Sequence, residues 1–154
     1  MTWTETLGTQ ARHHHRCWSE LIAQLGPKEA RFRLDPKGPS IAWLLGHCCE
    51  EADSSVEAIL AQPRVLGVNW APGRDWMTLT QGWSRVSEQL LAGLASLKEH
   101  DLDQPCGVAI DPVFAGSLTN RRVWLQGHVF HLAYHLGQAQ MLQAASKRIP
   151  PEEG

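Results

Sequence analysis

The chain has 154 residues, 43% of them hydrophobic and 19% charged, with 14 basic against 16 acidic side chains and a formal net charge of -2. That length fits a single domain over residues 1–154 with a core that needs no disulfide or metal staple, and the near-balance of charge lacks the basic footprint of a nucleic-acid binder. Residues 1–15 lack the apolar run of a secretory signal and nothing later approaches the roughly 18 apolar residues of a membrane span, so a cytoplasmic protein without membrane contact is expected.

The first helix is expected over residues 4–25, where Leu7, Ala11, Trp18, Leu21, Ile22 and Leu25 recur at helical spacing until Gly26-Pro27 stops it. His13, His14 and His15 fall on this helix. Consecutive positions splay by about 100°, so the run reads as solvated surface with at most one ring facing inward.

After a Pro- and Gly-containing connection, Ser40 can cap a second helix that carries Ile41, Leu44, Leu45, Cys48, Ala52, Val56, Ile59 and Leu60 to just before Pro63. Residues 62–78 read as a long loop, of the kind that often carries function. A third helix places Trp83, Val86, Leu90, Leu94 and Leu97 on one stripe and breaks near His100-Asp101. A second long connection, 101–117, has room for a short hairpin around 108–114. The fourth helix is expected from near Thr119 to Ser146.

Four amphipathic helices without strand alternation predict an all-α protein, an antiparallel four-helix bundle with two long inter-helix connections. The seven tryptophans are scattered and read as core anchors. Of the four cysteines, all expected to be free thiols, Cys48 and Cys49 read as small core residues.

His128, His131 and His135 lie within an arc of about 60° on the fourth helix, flanked by apolar positions. Imidazoles buried there need partners for their ring nitrogens, and one cation would satisfy several together. His131 and His135 have the i, i+4 spacing that brings two nitrogens to one ion. His47, inside the apolar pattern of the second helix, is the candidate third ligand. His128 is either an additional ligand or a neighbour that supports the ligands. Gln138 is placed to orient His135, and Glu50 and Glu51, three and four residues after His47, are candidate proton acceptors or supports. Trp43, Trp124 and Leu142 are expected to wall the site.

Three blocks carry a resemblance to the DinB-like superfamily, a group described as metalloenzymes: Pro39-Ser40-Ile41-Ala42-Trp43-Leu44-Leu45-Gly46-His47, Leu102-Asp103-Gln104-Pro105, and His131-Leu132-Ala133-Tyr134-His135-Leu136-Gly137-Gln138. The resemblance implies a four-helix bundle with a histidine triad on His47, His131 and His135, the last running into an H-x-G-Q sequence. Tyr134 and Leu136 depart from it, standing where a second histidine and an arginine are common. Relatives of this type include thiol-cofactor S-transferases and a thiol-dependent isomerase.

The implied activity is transfer or isomerisation of a small-molecule substrate, with Zn or Ni as the metal and a low-molecular-weight thiol as cosubstrate. A metal-dependent hydrolase using Glu50 or Glu51 as base is an alternative. So is a non-catalytic metal-binding stress or interaction bundle, which would show a closed four-coordinate ion and no cleft. A homodimer is compatible with this type of bundle.

Overall fold

Each long helix starts at a side chain that satisfies its free N–H groups, an arrangement typically worth about 1 kcal/mol per cap. In the computed structural model, which describes residues 1–107 and 120–149, Thr2 caps α1 (Trp3–Ala23) and Glu5 closes a capping box with it. Ser40 caps α3 (Ile41–Leu60), Asp75 caps α4 (Trp76–Ser96) and Asn120 caps α5 (Arg121–Ser146). The described residues contain helices and no strand, with one isolated bridge between Pro105 and Asn120.

The expected elements are present with shifted ends. Helix α1 stops at Ala23, and Gly26-Pro27 then starts a short helix, α2 (Pro27–Ala30), inside what reads as a plain connection. Because Asp75 caps α4, the loop expected to run to 78 ends earlier. In the second connection a 3-10 turn (Glu99–Asp103) lies beside α5, where Arg122 pairs with Glu99 at 3.0 Å and Asp103 at 2.9 Å. The hairpin expected around 108–114 lies outside the described residues.

Helix α3 packs against both α4 and α5, and α1 packs against the same two helices. The shared core holds Trp18, Leu44, Leu45, Cys48, Cys49, Val56, Ile59, Trp83, Leu90, Leu125 and Leu132. Buried indoles need a partner for their N–H. Trp18 donates to Leu132 O at 3.1 Å and Trp76 to Leu25 O at 3.2 Å. No helix among the described residues is long and apolar enough to cross a membrane.

Two features of α3 hold the following loop in place. Asp53 is fully buried, and its carboxylate accepts N–H groups of Val65 at 2.6 Å, Leu66 at 3.0 Å and Gly67 at 2.9 Å. Two turns before it, Gly46 lets Ala71 lie so close that a Cβ at position 46 would sit 2.9 Å from the Ala71 methyl. The loop is thereby folded down beside His47.

Candidate metal centre

His47 projects from α3, and His131 and His135 project from successive turns of α5. Because α3 and α5 pack side by side, one nitrogen of each ring lies within 4.8 Å of the others. Nε2 of His47 and Nε2 of His131 approach to 2.9 Å. The His131 and His135 rings meet edge to face at 4.4 Å, and the His47 and His135 rings at 4.9 Å.

The remaining nitrogens are held from outside the cluster. Nδ1 of His135 lies 2.6 Å from Oε1 of Gln138, so the imidazole N–H donates there and Nε2 keeps its lone pair. Nδ1 of His131 is buried without a close hydrogen bond; its nearest acceptor is Oε2 of Glu51 at 3.5 Å. The indole of Trp43 stacks on His47 at 5.2 Å and 13°.

Burial lowers the pKa of His47, and the neighbouring His131 and His135 lower it further; burial is also the leading cause of the lowering at His135. Three imidazoles from two helices with one nitrogen each turned to a common point form a donor set suited to a divalent ion. The residues present fit such an ion.

His128 faces away from the triad. It is buried, with Nδ1 2.7 Å from Oε2 of Glu51 and Nε2 2.9 Å from Nε2 of His15, whose own Nδ1 lies 2.6 Å from Oγ of Ser87. Ser55 donates to Oε1 of Glu51 at 2.9 Å, and Trp124 donates to Ser55 at 3.0 Å. A polar chain thus crosses the bundle from α4 to the edge of the triad. Burial alone would raise the pKa of Glu51, but His128 and His131 together hold it well below the ordinary carboxylate range.

The sequence-predicted residues therefore separate into three groups. His47, His131 and His135 converge, with Gln138 on His135 and Glu51 beside His131. His128 supports Glu51 and does not join the triad. Glu50 turns to the loop, where Oε1 accepts the N–H of Ala71 at 3.0 Å. Of the expected wall, Leu142 is buried and Trp124 partly buried, but Trp43 is 54% exposed and covers only one face of His47.

His15 is the residue that sequence reasoning missed. It is the inward member of the run read as solvated, and its i, i+4 relation to Ala11 on the buried face was the available signal. Cys48 and Cys49 are buried, and burial raises their thiol pKa values, which disfavours the thiolate form.

A cavity of about 480 Å³ opens beside His47 and Trp43, walled by Ser40, Gly46 and Glu50 of the α3 segment and by Ala71 and Arg74 of the loop. Its size is that of a small-molecule site.

The profile of the DinB superfamily matches residues 10–139. A crystal structure of a conserved protein from Enterococcus faecalis superposes with a TM-score of 0.70 at 18% identity, covering 97% of this chain and 99% of that one, a likeness of fold. Comparison with curated proteins finds no match.

Proposed function

The chain belongs to the DinB superfamily, and on that premise we propose that it is a divalent-metal enzyme whose ion is held by His47, His131 and His135, with Zn or Ni as the metal. The observation that carries this reading is the cavity beside His47. A structural ion is closed in by four protein ligands, whereas three ligands, of which His47 lines a ligand-sized cavity, leave room for a reactant.

A divalent ion in this position would supply Lewis acidity, which favours the thiolate form of a thiol. We assign the reaction to transfer or isomerisation with a low-molecular-weight thiol as cosubstrate. Hydrolysis with Glu51 as base is disfavoured, because its carboxylate is engaged by His128 and Ser55; Glu50, whose Oε1 accepts the Ala71 N–H, lines the cavity and keeps hydrolysis as the alternative. In this reading Glu51 and Gln138 are positioning residues for His131 and His135.

The test is metal analysis of the purified protein, followed by thiol-transfer assays with and without the metal. About one equivalent of a divalent ion is expected, lost together with transfer in His135→Ala while the helical circular dichroism persists. A parent protein that retains no metal and gains none on addition of Zn or Ni would overturn the assignment.

A further inference from the structure

The chain carries a net charge of -2, yet the wall of the His47 cavity is cationic. Arg31, Arg33 and Arg74 line it, and the single acidic side chain among the lining residues is Glu50. One oxygen of Glu50 is occupied by the Ala71 N–H. A smaller adjoining cavity of about 300 Å³ shares Arg33 and Trp43 and adds Lys37. Four cations thus border a groove made of these two adjoining cavities, the larger of which is lined by His47.

Two of these guanidinium groups are held by neutral backbone acceptors. Arg33 donates to Gly38 O. Arg74 donates to Trp70 O at 2.9 Å and lies over the Trp70 ring at 5.4 Å. Arg31 has Asp75 as its charged neighbour, and that carboxylate already accepts the Thr78 N–H at the start of α4. Carbonyls and an indole position an arginine without neutralising it, which leaves its fork of donors for a carboxylate or phosphate. The exposed face of Trp43 between the cations and His47 offers a flat apolar surface.

We propose that this groove binds an organic anion, with its carboxylate or phosphate group on Arg31, Arg33 and Arg74, its apolar part against Trp43, and its far end directed to His47. The proposal rests on the functional reading above and specifies its substrate class as anionic. It also predicts strong salt dependence, because the cations lie at the surface.

The experiment uses the full chain, freed of metal by chelator and gel filtration so that anions cannot bind to an ion, and titrates it calorimetrically with benzoate, phenyl phosphate, benzamide and inorganic phosphate. Saturable binding of benzoate or phenyl phosphate, at least 10-fold tighter than benzamide, is expected. The stronger of the two identifies the anionic group, and inorganic phosphate reports how much the ring contributes. Arg31→Gln and Arg74→Gln should each weaken binding at least 5-fold without changing helical content or metal uptake in a parallel assay. Absence of saturable binding by all four probes, or equal binding of benzoate and benzamide, would overturn the proposal. Anion binding without metal uptake would instead remove the metal assignment and leave the groove standing; metal uptake without anion binding would do the reverse.

Discussion

His15 and His128 bring their Nε2 atoms to 2.9 Å inside the bundle, each ring 1% exposed. One of the two must donate and the other accept. The Glu51 carboxylate decides which: it takes the Nδ1–H of His128, so Nε2 of His128 accepts from Nε2–H of His15, and Nδ1 of His15 accepts the hydroxyl of Ser87.

This direction of the chain is checked by long-range proton–nitrogen NMR at pH 7, which should show His15 as the Nε2–H tautomer and His128 as the Nδ1–H tautomer. Replacing His15 by Ala leaves a cavity beside Trp83, on which His15 stacks at 4.9 Å, and an unpaired nitrogen on His128. The expected loss of stability is about 2–4 kcal/mol. A shift of the denaturant midpoint corresponding to less than about 1 kcal/mol would mean that the pair does not hold the bundle.

The same residue sets a pH dependence. Burial first, and His128 next, lower the pKa of His15 from 6.5 to about 3. Above pH 6.5 the ring is neutral in both folded and unfolded chains, and its contribution to stability is intact. As pH falls below 6.5, the unfolded chain takes up a proton that the folded chain refuses until about pH 3, so stability is lost across that window. Its slope approaches about 1.4 kcal/mol per pH unit for this one group. The difference in slope between the parent and His15→Gln, measured by denaturation from pH 7 to 4.5, isolates it. Parallel curves would assign the loss to other groups.

Asp53 ties the loop that walls the cavity to α3 through three backbone N–H groups. Charge-assisted bonds of this kind are the strong ones. Asp53→Ala should cost about 2–4 kcal/mol, since three donors lose their partner at once. Amide exchange at Val65, Leu66 and Gly67 should accelerate more than exchange in the middle of α3. Uniform acceleration would show that Asp53 stabilises the whole bundle and not the loop.

The four long helices and the convergence of His47 with His131 and His135 follow from periodic patterns, which depend on local geometry, whereas the helix ends shift, α1 stopping at Ala23 and α4 at Ser96. The i, i+4 pair needs only one helix, and the register of His47 with it follows from apolar faces that must meet. The roles of His15 and Asp53 were not legible, because each depends on partners 113 and 12 residues away. A histidine in a run with exposed His13 and half-buried His14 shows its partners only when α4 supplies Ser87 and α5 supplies His128. Trp43 misled for a related reason: position 43 borders the buried face of α3, but the packing leaves its ring on the open side of His47.

Glu51 joins the polar chain to the triad, and its substitution separates positioning from folding. Its Oε2 takes the Nδ1–H of His128 at 2.7 Å and stands 3.5 Å from Nδ1 of His131. With the carboxylate on the Nδ1 side, His131 keeps Nε2 as its lone-pair nitrogen, on the side of His47. In Glu51→Gln the volume is nearly unchanged, but the negative charge is gone and an amide N–H₂ can replace one acceptor. Metal affinity, measured by competition with a chromophoric chelator, should fall by about 10- to 100-fold, while the helical content stays at the parent level. Glu50→Gln, one residue away but turned to the Ala71 N–H, should leave metal affinity within about 2-fold, well inside the range expected of a group that orients no ligand. Equal losses in the two variants would trace the effect to general electrostatics, and no loss in Glu51→Gln would show that His131 is oriented without its carboxylate.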